Sequence, residues 1–130
     1  MSETSLQFDQ VVTSCKDVFI KKATDYGTSW RVLRTISVVD QLFIKAQRIK
    51  TIQQKGVQLV DDDIAAEFKG IINYGVIGLL QLQLPAQEKE EIPIPELSSL
   101  YDLEINKAKS LMLHKNHDYG EAWREMSQES

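Results

Sequence analysis

The chain of 130 residues is poor in cysteine, with one, and in proline, with three. A single cysteine, Cys15, excludes an internal disulfide and is compatible with a reducing compartment. The N-terminal stretch MSETSLQFDQ lacks the basic and apolar segments of a signal peptide. The most apolar run, 71–84, is too short and too interrupted by polar residues to cross a bilayer. We therefore expect a cytoplasmic protein without a membrane partner.

Familiar catalytic motifs and an excess of positive charge are also missing. The sequence contains no GxxxxGK[ST], GxGxxG, CxxC or GxSxG. Lysine and arginine number 15 against 19 acidic residues, a net charge of −4. No overall basic field therefore attracts nucleic acid, and direct nucleic-acid binding is not expected.

Helical periodicity is the pattern that is present. Apolar residues recur at helical spacing, Gly56 stops one such segment, and three consecutive aspartates cap the next. The predicted helices cover 6–22, 38–55, 61–84 and 98–116, with a fifth from about Glu121. No stretch has the pattern of a strand, so the predicted fold class is all-α, a helical bundle.

Residues 8–31 and 101–124 repeat one pattern at an offset of 93. The recurring residues are Asp9, Lys16, Lys22, Asp25, Tyr26, Gly27, Trp30 and Arg31, matched by Asp102, Lys109, Lys115, Asp118, Tyr119, Gly120, Trp123 and Arg124. This indicates an internal duplication whose second copy is incomplete. The expected organisation is a three-helix repeat over 1–84, a proline-rich acidic linker over 85–97 and a partial repeat over 98–130, in one compact domain.

The incomplete second copy leaves two explanations open. Either the sequence is a fragment, or another subunit supplies the missing packing, which predicts a homo-oligomer. Ile44 lies opposite the apolar stripe of its helix, between Asp40 and Arg48, where an interface would cover it.

The repeated DYGxxWR segment has a structural and a functional interpretation. A left-handed glycine ends one helix, and the aromatic rings fill the corner before the next. A repeated turn is more often architecture of this kind than chemistry. The same residue types also suit a nucleotide: aromatic rings stack on a base, arginine binds phosphate and aspartate accepts a donor. The candidate ligand residues are Asp25, Tyr26, Trp30, Arg31, Asp118, Tyr119, Trp123 and Arg124.

Three further side chains extend this candidate site. Lys45 and Arg48, one turn apart, are the best cationic pair for phosphate outside the turns. Asn73, in the apolar third helix, either bonds a neighbouring helix or faces a ligand.

The order of these features resembles a known family. A helix ending in K-x-x-DYG-x-x-W, a helix with Lys45 and Arg48, and Asn73-Tyr74 in an apolar helix are similar to nucleotide-modification-associated domain 1. The resemblance implies an all-α protein, and some members accompany phage-type systems that modify DNA bases. Its helical pattern is also distantly similar to the all-α nucleoside triphosphate pyrophosphatases of the MazG and dUTPase type, which hold magnesium on carboxylate-rich helices.

Nucleotide binding without hydrolysis is our first hypothesis, because Gly70 stands where such enzymes need a second carboxylate. The first alternative is a magnesium-dependent nucleotide pyrophosphohydrolase that uses Asp40, Asp63 and Glu67 as metal ligands. The second alternative is a non-catalytic oligomerisation module with Ile44 in its interface. Magnesium is the only cofactor that any of these hypotheses needs.

Overall fold

The computed structural model describes residues 3–55, 61–85 and 91–119. Four α-helices form these segments, α1 (Glu3–Tyr26), α2 (Thr35–Lys55), α3 (Asp61–Gln83) and α4 (Ile94–Tyr119), with a short 3-10 helix (Ser29–Val32) between α1 and α2. The described residues contain no strand, so the predicted all-α helical fold is confirmed. In the same part of the chain, no helix is both long and apolar enough to span a membrane. The fifth helix expected near Glu121 lies outside the described residues.

α4 begins at Ile94, four residues before the predicted start. Its first turn contains Pro95, and the backbone N–H of Leu97 donates to the carbonyl of Pro93 at 2.9 Å. Proline is accepted there because the first N–H groups of a helix have no partner within the helix. The predicted linker over 85–97 therefore overlaps the first turn of α4, at residues 94–97.

α3 is the central helix and contacts each of the other three. Its residues Val76, Ile77 and Leu80 pack in one core with Phe19 of α1, and with further side chains of α2 and α4. Burying each large apolar side chain of this kind stabilises the fold by about 1.5–3 kcal/mol. The helix that the sequence marks as most apolar thus occupies the middle of the bundle.

α1 and α4 are antiparallel neighbours joined by two reciprocal ion pairs. Lys16 of α1 lies 2.8 Å from an Asp102 carboxylate oxygen, and Lys109 of α4 lies 2.7 Å from Asp9. The four residues are two pairs related by the offset of 93. Two antiparallel copies of one helix would form a reciprocal pair of ion pairs of this kind. The duplication itself stays a prediction.

Candidate functional site

A glycine forms the corner at the end of α1. Gly27 has φ +69°, and its N–H donates to the carbonyl of Ala23 at 2.7 Å. A β-carbon at this position would run into the Glu91 carboxylate. Glycine is needed for the left-handed backbone, and its lack of a side chain lets the Glu91 carboxylate lie against it.

Thr28 ties this corner to the segment before α4. Its buried hydroxyl accepts a hydrogen bond from the Ile92 N–H at 3.0 Å, while its own N–H donates to Glu91 Oε1 at 3.3 Å. These two bonds form a clasp between residues that are more than sixty positions apart in the chain.

Arg31 points into the protein, where it is 3% exposed. Its guanidinium donates to Gln81 Oε1 and to the carbonyl of Pro85. In return, Gln81 Nε2 donates to the carbonyls of Trp30 at 2.9 Å and Leu33 at 2.8 Å. The structure therefore places Arg31 in the join between the corner and α3, and not in the wall of the cleft described next.

A cleft of about 830 Å³ opens between α1, the corner, α2 and α3. Three lysines and four aromatic residues line it: Lys22, Lys45, Lys69, Phe19, Tyr26, Trp30 and Tyr74. Tyr26 is 77% exposed, so its ring faces solvent instead of filling the corner as expected. The Trp30 ring is half-buried and lies 6.5 Å from the Phe19 ring, centroid to centroid.

The charge of the cleft is opposite to that of the chain. Among its described lining residues there is no aspartate or glutamate, whereas the whole sequence has a net charge of −4. The Lys45 ammonium lies 5.6 Å from the centre of the Tyr74 ring. The stem of Lys45 passes over Gly70, where an added β-carbon would come within 2.7 Å of its Cε. The absence of a side chain at Gly70 thus makes room for this cation.

Asn73 is buried at the cleft, where it links three helices. Its Nδ2 donates to the Cys15 carbonyl of α1 at 3.0 Å, and its Oδ1 accepts from the Tyr101 hydroxyl of α4 at 2.9 Å. Burial raises the pKa of Tyr101, so the phenol keeps the proton that it donates. Both ends of the amide make the inter-helix bonds that the sequence left as one of two interpretations.

Most of the cleft lies within the segment that matches a known family, and its lining residues Val18 and Phe19 precede that segment. Residues 22–82 match the family model of nucleotide modification associated domain 1. The matched segment is 61 of the 130 residues and includes the corner, α2 and all three lysines of the cleft. No curated protein and no solved structure matches the chain.

Within the matched segment, other predicted residues lie outside the cleft lining. Asp25 and Asp40 are exposed, and the exposed Arg48 lies 3.4 Å from Glu67. Glu67 also pairs with Lys45 at 3.6 Å. The residues that the structure describes contain no group of three His, Cys, Asp or Glu side chains placed to hold a metal.

Several predictions stay untested. Asp63, Asp118 and Tyr119 belong to α3 and α4, but their side chains, like all of Trp123 and Arg124, lie outside the described residues. Ile44 is 48% exposed on α2, and the homo-oligomer stays a prediction.

Sequence reasoning missed two of the three cleft lysines. Lys22 stands in the K-x-x-DYG motif and recurs as Lys115, which was a usable signal. Lys69 has no such signal in the sequence, because only the packing of α3 beside α1 places it in the same cleft as Lys22.

Proposed function

We propose that the cleft binds a nucleotide, or a similar anion in which an aromatic ring is joined to phosphate. One observation carries this proposal: three lysines and four aromatic rings line a single cleft whose described lining has no carboxylate. Its volume of about 830 Å³ falls in the usual range for small-molecule sites. The name of the matched family, nucleotide modification associated domain 1, supports the same ligand class and a role associated with nucleotide modification.

Each group has a part that its placement favours. The exposed ring of Tyr26 offers a surface on which a base stacks, a contact worth about 1–3 kcal/mol. The ammonium groups of Lys22, Lys45 and Lys69 attract phosphate oxygens as point charges. In this proposal the lysines take the part that the sequence suggested for Arg31, whose guanidinium already bonds Gln81 and Pro85.

The hydrolytic alternative has less support. The Glu67 carboxylate already pairs with Lys45 and Arg48. Its contacts therefore give no reason to prefer it as a magnesium ligand. The similarity to MazG-type pyrophosphatases accordingly stays a hypothesis.

Thermal stability in the presence of ligands tests the proposal. Nucleoside mono-, di- and triphosphates are added with and without magnesium, and the melting temperature is measured. A ligand at 100 times its dissociation constant should stabilise the folded state by about 2.7 kcal/mol. Tyr26→Ala and Lys22→Met should remove the shift, whereas Lys21→Met, the exposed neighbour outside the cleft lining, should retain it.

Two results would contradict binding in this cleft. One is no stabilisation by any nucleotide, and the other is an equal loss in the Lys21 and Lys22 variants. Release of phosphate or pyrophosphate that depends on magnesium would instead favour the hydrolase.

A further inference from the structure

Glu67 of α3 faces two cations of α2 from beside the cleft. Its Oε2 lies 3.6 Å from Lys45 Nζ, and its Oε1 lies 3.4 Å from Arg48 Nε. The Glu67 side chain is 12% exposed and that of Lys45 is 22% exposed, whereas that of Arg48 is 65% exposed. One largely buried carboxylate is thus shared by a cation of the cleft and a cation at the surface.

The contact with Lys45 is an ion pair without a hydrogen bond. Its 3.6 Å separation exceeds the 2.7–3.2 Å typical of N–H···O bonds. Glu67 Oε2 is buried and has no hydrogen-bond partner. Lys45 is therefore held by charge alone on this side, and it can turn toward an anion in the cleft without breaking a hydrogen bond to Glu67.

We propose that Glu67 competes with the ligand's phosphate for Lys45, and that Arg48 determines how strongly it competes. The inference rests on the proposed function, because it describes how the same cleft regulates its affinity. When Lys45 turns to the phosphate, Arg48 keeps the buried carboxylate compensated. Without Arg48, the carboxylate has only Lys45 in the described contacts, and moving Lys45 would leave a buried charge unpaired.

Opposite effects of two substitutions follow from this arrangement. Glu67→Gln keeps the side-chain shape and removes the competing charge, so phosphate binding should tighten roughly three- to tenfold. Arg48→Met should weaken phosphate binding by a similar factor, although Arg48 does not line the cleft. Glu67→Met makes the same prediction as Glu67→Gln if the glutamine variant does not fold.

A double variant separates this competition from a change in overall charge. In the Glu67→Gln background, Arg48→Met should change the affinity less than about twofold, because no carboxylate remains for Arg48 to hold. A general field effect would instead make the two changes additive. Lys50→Met, at an exposed position of α2 outside the cleft lining, controls for the loss of one positive charge and should have little effect.

The experiment is titration calorimetry of the full chain with adenosine diphosphate and with inorganic pyrophosphate. Tightening by Glu67→Gln, weakening by Arg48→Met and no effect of Arg48→Met in the double variant support the inference. Additive effects, or weakening by both single substitutions, overturn it while binding in the cleft stands. A wild-type chain that binds neither probe overturns the inference together with the proposed function.

Discussion

α1 and α4 share a sequence pattern but differ in what covers them. Cys15, Phe19 and Ala23 of α1 are buried. Their counterparts at the offset of 93, Ala108, Met112 and Asn116, are exposed or half-buried. Leu111 of α4 is 57% exposed, whereas its counterpart Val18 is 37% exposed and lines the cleft.

On the neighbouring faces of the two helices the order of burial is reversed, and the α4 residue is the more buried one. Tyr101 of α4 is fully buried, and its counterpart Phe8 of α1 is half-buried. The central helix α3 explains this asymmetry, because Asn73 reaches α1 through the Cys15 carbonyl and α4 through the Tyr101 hydroxyl, which are not equivalent positions. Burial in this protein therefore follows the position of α3 more than the pattern of the helix itself.

Thiol reactivity should show the largest difference between the two helices. Ala108→Cys places a second thiol at the exposed counterpart of Cys15. Cys15 should react with iodoacetamide at least roughly 10³-fold more slowly, because exposing it needs an opening that costs on the order of 5 kcal/mol. Burial also raises the pKa of the Cys15 thiol, and the nearby Lys69 only partly opposes this, so less reactive thiolate is present.

Both thiols are measured in one sample by mass spectrometry of the alkylated peptides at pH 8. Equal rates at positions 15 and 108 would show that α3 does not protect α1.

Truncating equivalent aromatic residues should give the next largest effect. Tyr101→Ala is expected to lower the free energy of unfolding by about 3–5 kcal/mol, since it empties a fully buried site and leaves Asn73 without one partner. Phe8→Ala, at the half-buried counterpart, should cost clearly less. Urea denaturation followed by circular dichroism measures both, and equal losses would contradict the asymmetry.

Single glycine substitutions test the corner after α1. Gly27→Ala should destabilise the fold by about 1–2 kcal/mol, because a residue other than glycine is strained in the left-handed region. Gly75→Ala is the control: a β-carbon there meets nothing within 4 Å, and replacing a helical glycine stabilises by about 0.5–1 kcal/mol. Melting temperatures should move in opposite directions, and a fall for both would contradict this account.

Breaking the reciprocal ion pairs should have the smallest effect on stability of the changes considered. The two pairs should also give similar coupling energies. Double-mutant cycles to alanine on Lys16–Asp102 and on Lys109–Asp9 should each give a coupling of about 0.2–1 kcal/mol. The two values should agree, because the side-chain exposures are 26% and 53% in one pair and 23% and 47% in the other. Both couplings should weaken in 1 M salt. A measurable coupling in only one pair would argue against a symmetric exchange.

Local rules were sufficient for the helices and for the glycine corner. Apolar periodicity predicted the four helices of the described residues, and the DYG sequence predicted the left-handed turn at Gly27. The early start of α4 was missed because proline disfavours the interior of a helix but not its first turn.

The identity of the residues that line the cleft depends on tertiary packing, which the sequence pattern does not contain. Arg31 and Lys22 are both basic residues near the corner, yet one turns inward to Gln81 and the other lines the cleft. Which of them lines the cleft depends on where α3 ends relative to α1, and spacing along the chain carries no information on that distance.

The clasp between Thr28 and residues 91–92 also has a consequence for the order of folding. It joins positions 63 and 64 residues apart, so its formation must close a long loop. Contacts of this sequence separation slow folding relative to local ones. During synthesis from the N-terminus, all of α1, α2 and α3 are made before Glu91 and Ile92 exist. The corner beside the cleft is therefore completed after the helices that form the cleft walls.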